Sequence, residues 1–171
     1  EELDKTCSGL ESPQKILILN NPSNPTGSVH TPDELRALAE VCRKHGVIVI
    51  SDEIYALTNF GEIPFEGIAR YYPKGTITTS GVSKAFSAGG WRLGFAMIPD
   101  ELSEIKRPLS AFVSETFSCV SAPIQYAVLP GFKNFESVRK HVELCSAIHG
   151  AAGKFLQQRF VEIGLNCPEP Q

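Results

Sequence analysis

The sequence contains no long hydrophobic run and no excess of positive charge. Its 171 residues include 16 lysines and arginines against 19 aspartates and glutamates, and the formal net charge is −3 at pH 7. A surface that binds nucleic acid usually needs a basic excess, so we predict no nucleic-acid partner. No apolar stretch approaches the ~20 residues that cross a bilayer, and the opening segment, EELDKTCSGL, is too polar for a signal peptide. We therefore predict no membrane partner.

Paired cysteines are also lacking. The five cysteines are scattered along the chain, without a CxxC pair and without the spacing of metal ligands (Cys7, Cys42, Cys119, Cys145 and Cys167). This pattern predicts free thiols and no metal site. Because free thiols are typical of a reducing compartment, we predict a cytoplasmic location.

The apolar residues form short runs rather than long ones. Four of these runs predict strands, at residues 15–19 (KILIL), 47–51 (VIVIS), 76–79 and 93–98. Short unbroken apolar runs are typical of strands that are buried on both faces of a parallel sheet. The sequence therefore predicts a soluble α/β fold with a mostly parallel sheet.

Helix signals are strong in two places. Between the first two strands, Thr31 can cap a helix, Pro32 suits its first position, Glu34 completes a capping box, and Gly46 suits its end. The result is a β-α-β unit, whose crossover should be right-handed. Near the end of the chain, apolar residues at helical spacing predict one long amphipathic helix over residues 135–163.

Polar residues that could carry chemistry follow the predicted strands. Asp52 comes directly after VIVIS, Tyr55 follows three residues later, and Asn24 lies in the NPTG turn after the first strand. Lys84 and Arg92 lie in the glycine-rich segment between the third and fourth strands. Each residue alone has an ordinary explanation as a turn residue or a surface charge. Their common position at the carboxyl edge of a parallel sheet, where ligands bind, indicates a site.

The surroundings of Lys84 in the sequence favour a nucleophilic amine. Small residues flank the lysine, and Phe86, Trp91 and Phe95 follow it. We expect these aromatic rings to desolvate the amine, which favours the neutral form that a Schiff-base lysine needs.

Three segments, in chain order, carry a specific resemblance: NNPSNPTG, SDEIY and SGVSKAFSAGGWRLGF. They resemble the signature segments of the class I/II aminotransferases, enzymes of the aspartate aminotransferase fold type (fold type I) that depend on pyridoxal 5′-phosphate (PLP). The resemblance covers essentially the whole chain. It implies a three-layer α/β/α fold with a mostly parallel sheet, and it implies PLP as the cofactor.

The resemblance also implies a role for each candidate residue. Lys84 matches the lysine that forms the Schiff base with PLP and later moves a proton as the catalytic base and acid. Asp52 matches the aspartate that pairs with the pyridine nitrogen of PLP. Asn24 and Tyr55 match the residues that hydrogen-bond its phenolic oxygen, and Arg92 matches the arginine that binds its phosphate.

Family members usually run to more than twice the length of this chain. The resemblance therefore implies a central fragment of the fold, truncated at both ends. Residues 1–132 would belong to the PLP-binding large domain, and residues 133–171 would form the interdomain helix and the start of the small domain. Residues 114–125 resemble a segment that reaches the active site of the neighbouring subunit, which implies a homodimer. We expect the isolated chain to be inactive, to bind PLP weakly and to self-associate.

The implied reaction is the transfer of an amino group between an amino acid and a 2-oxo acid. Two alternatives remain open: a PLP-dependent lyase or synthase on the same fold, and the aminotransferase-like ligand-binding domain of a transcription regulator. One departure from the family pattern is Gly81, where many relatives have a serine that contacts the phosphate.

Overall fold

The computed structural model describes residues 1–169, and a four-stranded sheet lies at its centre. The strands are β1 (Ile16–Asn20), β2 (Ile48–Asp52), β3 (Thr76–Gly81) and β4 (Gly94–Met97), and they lie side by side in that order. The pairs β1–β2 and β2–β3 are parallel, whereas β3–β4 is antiparallel. These strands and their flanking helices confirm the predicted α/β fold with a mostly parallel sheet.

The register of the parallel strands brings their carboxyl ends to one edge. Asn20 lies opposite Asp52, and Asp52 lies opposite Thr79. The loops that follow β1, β2 and β3 therefore leave the sheet side by side. The predicted site residues Asn24, Tyr55 and Lys84 lie in these loops.

Helix α2 (Pro32–His45) connects β1 to β2 and begins as predicted. The Thr31 hydroxyl accepts a hydrogen bond from the Glu34 amide at 3.3 Å, and the Glu34 carboxylate accepts one from the Thr31 amide at 2.8 Å. The helix ends at Gly46, whose φ of 63° lies in the left-handed region that favours glycine.

The main core lies between α2 and one face of the sheet. Helix α1 (Glu2–Gly9), which we did not predict, packs beside α2 and adds to this core. The buried members of the core are Cys7, Leu19, Leu35, Ala39, Cys42, Val47, Val49 and Ile68.

The opposite face of β1 and all of β4 are exposed. Ile16 and Ile18 are 64% and 72% exposed, and every residue of β4 is exposed as well. The prediction that the KILIL run is buried on both faces was therefore wrong for this chain. The reason is that α1 and α2 cover only the face of β1 that carries Leu17 and Leu19.

The last third of the chain is helical. Helices α3 (Lys106–Thr116) and α4 (Ala122–Lys133) precede α5 (Phe135–Glu162), which is the predicted long helix. The predicted second unit, residues 133–171, contains α5, and its division from residues 1–132 stays a prediction; residues 170 and 171 lie outside the described range. Within residues 1–169, no helix is both long enough and apolar enough to cross a membrane.

Candidate functional site

Three of the five predicted site residues lie together at the carboxyl edge of the sheet. The Asn24 side-chain amide donates a hydrogen bond to the Tyr55 hydroxyl at 2.9 Å. The Lys84 amine lies 5.4 Å from the centroid of the Tyr55 ring. Residues from three separate loops, which are distant in sequence, therefore converge on one point.

Asn24 is held in place by the asparagines that precede it. The Asn20 side-chain oxygen accepts a hydrogen bond from the Asn24 amide at 2.7 Å. The buried Asn21 side chain donates to the Glu66 carbonyl at 3.3 Å and accepts from the His30 amide at 3.0 Å. The NNPSNPTG turn is thus ordered by its own side chains, as is typical of asparagine-rich turns.

Asp52 is the last residue of β2 and lies at the same edge. One of its carboxylate oxygens accepts a hydrogen bond from the Ile54 amide at 3.3 Å, and its carbonyl accepts one from the Asn21 amide at 3.1 Å. The carboxylate therefore caps the turn that leads to Tyr55. Asp52 thus lies at the same edge of the sheet as Asn24, Tyr55 and Lys84, and among the described residues it makes no direct hydrogen bond to any of the three.

The next residue, Glu53, is a carboxylate that the sequence analysis missed. Burial raises its pKa; the hydrogen bond that the Ser51 hydroxyl donates at 2.9 Å lowers it, and the neighbouring Asp52 charge raises it further. Gly67 lies against this carboxylate, since a Cβ atom at Gly67 would come 2.5 Å from Glu53 Oε1. The signal that could have identified Glu53 is the pair of adjacent acids in SDEIY. Because successive side chains along a strand point to opposite faces, the two acids must have different surroundings.

Lys84 lies in a loop, residues 82–93, that is closed at its base. The Val82 amide donates a hydrogen bond to the Leu93 carbonyl at 3.2 Å, directly beyond the last pair of the β3–β4 ladder, Gly81 and Gly94. A Cβ atom at Gly81 would lie 2.8 Å from the Leu93 carbonyl oxygen. Glycine at this position therefore has a structural reason, because a side chain would push the two strands apart.

Arg92 lies at the far end of the same loop. Its φ of 53° is in the left-handed region, and its guanidinium donates a hydrogen bond to the Gly89 carbonyl at 2.7 Å. The side chain is exposed. Since Arg92 is adjacent to Leu93, which pairs with Val82, the two ends of the loop bring Arg92 and Lys84 to the same end of the sheet.

The aromatic residues after Lys84 do not enclose its amine. Phe86 and Phe95 instead pack against Phe132 of α4, with ring centroids 5.2 Å and 6.0 Å apart, and Trp91 is 42% exposed. The expectation that these rings desolvate Lys84 was therefore wrong, because Phe86 and Phe95 turn towards Phe132 instead. The Lys84 side chain is exposed.

A cavity of about 370 Å³ opens beside the Lys84 amine. It is lined by residues of the two loops after β2 and β3 and by one residue of α5 (Tyr55, Thr58, Phe60, Ser83, Lys84, Ser87 and His149). Helix α5 reaches this cavity because Gly150 lets it approach closely: a Cβ atom there would lie 3.2 Å from the Phe60 ring. His149 had no signal in the sequence, since its position depends on how the long helix packs.

A larger cavity, of about 640 Å³, lies beside β4 and has an almost entirely apolar lining that includes Phe95, Phe117 and Phe132. It contains none of the predicted site residues. Size therefore does not mark the site here, whereas the convergence of an amine, a phenol and an amide does.

The fold and the site together define an α/β protein whose reactive groups lie where the parallel strands end. The family model "Aminotransferase class I and II" matches residues 2–171. Among curated relatives, the putative aminotransferase YugH of Bacillus subtilis is 37% identical over 91% of this chain and 39% of its own length. The aspartate aminotransferase of Geobacillus stearothermophilus is 34% identical over 92% of this chain and 39% of its own length.

Solved structures agree with these relatives. An aromatic aminotransferase from Pyrococcus horikoshii OT3 has a TM-score of 0.88 at 33% identity, covering 99% of this chain and 45% of that chain. The aspartate aminotransferase from Thermus thermophilus with maleate has a TM-score of 0.86 at 28% identity, covering 99% of this chain and 44% of that chain. The chain belongs to the class I and II aminotransferase family, and it spans about two-fifths of the length of the curated relatives named above.

Proposed function

We propose that this chain supplies the PLP-anchoring residues of an enzyme that transfers an amino group between an amino acid and a 2-oxo acid. The observation that carries the proposal is the convergence of Asn24, Tyr55 and Lys84 from three loops. When bound, PLP supplies an electron-withdrawing ring that stabilises negative charge at the substrate Cα.

The residues present fit this cofactor chemically. The Lys84 amine borders a cavity and is the group that would attach to the PLP aldehyde. The Asn24 amide and the Tyr55 hydroxyl share one hydrogen bond, which supports a role for both as donors to a single phenolic oxygen. Asp52 would hold a proton on the pyridine nitrogen, because an ionised carboxylate is a strong acceptor for a charged N–H. Arg92 has the planar fork of donors that suits a phosphate.

Lys84 would have a second task once the substrate amine has taken its place. A neutral lysine amine beside the substrate can accept the proton from Cα and return it to a neighbouring carbon, as a general base and then a general acid. Its nearness to the Tyr55 ring restricts where the amine can move, and such positioning is a large part of catalysis. Several relatives are named aspartate aminotransferases, so aspartate is the first amino donor to test.

The exposed apolar surfaces support association with a second copy of the chain. Phe95 and Met97 of β4 are 38% and 58% exposed, and Phe112 and Phe117 near the larger cavity are 65% and 61% exposed. Large exposed apolar side chains in such number often mark an interface. We propose a homodimer in the cytoplasm, with residues 1–132 as part of the large domain and residues 133–171 as the interdomain helix and the start of the small domain.

Covalent trapping tests the assignment of Lys84. The enzyme that contains this chain is incubated with PLP, reduced with borohydride and mapped by peptide mass spectrometry. We expect the phosphopyridoxyl group mainly on Lys84, and we expect Lys84→Arg to lose it. Lys140, which is 72% exposed in its side chain, is the internal reference for non-specific labelling of surface amines.

Labelling in simple proportion to exposure would contradict the proposal, since Lys140 and Lys74 would then carry as much label as Lys84. Tyr55→Phe is the second variant, because it keeps the ring but removes the hydroxyl. It should lower Lys84 labelling without changing that of Lys140.

A further inference from the structure

Ser87, three residues after Lys84, has an unfavourable backbone conformation. Its φ of 51° lies in the left-handed region, which residues with a Cβ atom seldom adopt. The Ser87 amide donates a hydrogen bond to the Lys84 carbonyl at 3.0 Å, so the two residues form one turn. Conformations of this kind persist only where contacts from the surrounding structure hold them, and they are frequent at functional sites. The turn that carries Lys84 therefore needs support from outside the loop.

Helix α5 supplies this support through His141. The Ser87 hydroxyl and His141 Nε2 lie 2.9 Å apart and form a hydrogen bond. Within residues 1–169, the Ser87 hydroxyl makes no other hydrogen bond. The two residues are 54 positions apart in the sequence, so this contact joins the Lys84 loop to a distant part of the chain. It also holds the residue whose backbone conformation is unfavourable.

The preceding residue, Phe86, is held from another side. Its ring packs on Phe132 of α4 with centroids 5.2 Å apart, and a Cβ atom at Gly131 would come 2.6 Å from it. Apolar contacts of this kind are not directional, so they fix the position of the loop better than its orientation. A hydrogen bond depends on angle as well as distance. The contact with His141 is therefore the one that can set the orientation of the turn.

The supported turn forms part of the wall of the cavity beside Lys84. Ser83, Lys84 and Ser87 all line this cavity of about 370 Å³, whereas His141 is not among the lining residues. The imidazole would therefore act through the Ser87 hydroxyl rather than by touching a molecule in the cavity. A residue in this place supports the reactive amine from behind the wall.

We propose that His141 is a positioning residue, which fixes the turn of Lys84 through the Ser87 hydroxyl. The fixed turn keeps the Lys84 amine in its place, 5.4 Å from the centroid of the Tyr55 ring. Without the hydrogen bond, Ser87 would leave the left-handed region more often, and its amide would release the Lys84 carbonyl. The importance of this for PLP attachment rests on the proposed function, since a displaced reacting group reacts more slowly.

Residue-resolved amide hydrogen exchange tests the turn itself, in the enzyme that contains this chain and with no PLP added. His141→Phe keeps an aromatic ring but removes the ring nitrogens, and Ser87→Ala removes the hydroxyl. Each should raise the exchange rate of the Ser87 amide roughly fivefold, as expected for the loss of one hydrogen bond. The double variant should exchange no faster than either single variant, because both remove the same interaction. His141→Gln keeps a polar group that can reach the hydroxyl, so it should restore most of the protection.

Borohydride trapping then measures the effect on the amine. In His141→Phe, the rate of PLP attachment to Lys84 should fall by a similar factor, while attachment to Lys74, whose side chain is 77% exposed, stays the same. Unchanged exchange at residues 146–156 of α5 would show that the helix is not loosened as a whole. Wild-type exchange and trapping in His141→Phe would overturn the inference, as would additive effects in the double variant. Failure of the proposed function is recognised separately, by the absence of label on Lys84 in the wild type.

Discussion

Leu35→Ala should strongly destabilise the unit that supports the site. Leu35 is 0% exposed and packs in the main core among Ala39, Cys42, Val47 and Val49. The substitution removes three carbon atoms, and at about 0.8 kcal/mol for each the transfer term is about 2.4 kcal/mol. The neighbours belong to α2, to β2 and to the residue just before β2, and they can close the cavity only in part, so a total loss of about 3–4 kcal/mol is expected.

Urea unfolding followed by circular dichroism measures this loss, with the denaturant slope as a check that the denatured state is unchanged. The melting temperature should fall by about 6–16 °C, since 1 kcal/mol corresponds to about 2–4 °C in a domain of this size. Leu144→Ala is the control, because Leu144 is 62% exposed on α5 and should change stability by at most about 0.5 kcal/mol. A loss below 1 kcal/mol in Leu35→Ala would refute the packing of α2 on the sheet.

Three further outcomes follow from other contacts. Burial, with a smaller contribution from the charge of Cys7, raises the pKa of Cys42 to about 11, two units above its ordinary 9.0. At pH 8 Cys42 should therefore react with iodoacetamide at least about 100-fold more slowly than exposed Cys119, and comparable rates would contradict its burial. Thr31→Ala should cost about 1 kcal/mol in urea unfolding, because it removes the capping box. Ser121→Ala should cost much less, since the Ser121 side chain makes no capping hydrogen bond at the start of α4. Burial raises the pKa of Glu53 above its ordinary 4.5, so its contribution to stability is present below pH 4.5 and is lost as the pH rises through the folded value. Glu53→Gln should remove this pH-dependent loss of stability when the free energy of unfolding is measured from pH 4 to 7. If the variant has the same pH profile as the wild type, Glu53 is not buried.

Local chemistry explains which elements could be predicted from the sequence. Helix α2 has a capping box at one end and a left-handed glycine at the other, so its bounds follow from short-range interactions. The strand predictions were close because apolar runs between turn residues are distinctive. Helices α3 and α4 were not predicted. Helix α4 contains Pro130 and Gly131, which both oppose helix formation, and the close contact of Gly131 with Phe86 shows that packing against the Lys84 loop compensates.

The candidate site likewise contains residues that could be predicted from local sequence and residues that depend on packing. Asn24, Tyr55 and Lys84 could be predicted because they follow strands whose carboxyl ends must meet at one edge. Their roles towards PLP, and those of Asp52 and Arg92, stay predictions. His149 could not be predicted, because it reaches the cavity only through the packing of a helix that begins some fifty residues after Lys84. The surroundings of Lys84 were misjudged for a similar reason, since adjacency in sequence does not tell which way a ring turns.

The closed base of the loop at residues 82–93 bears on how this protein could be altered by design. Since the Val82–Leu93 hydrogen bond and the tight Gly81–Gly94 pair fix the two ends, a change of loop length is confined to the loop itself. Closing a flexible loop of twice the length costs only about 0.6 kcal/mol more. Gly90 is exposed, and an added Cβ there would meet no atom within 4 Å, so it is the natural position for insertions in a library that varies this loop. Insertions at residues 81–82 or 93–94 would instead separate β3 from β4, and the antiparallel edge of the sheet would be lost before the site was changed.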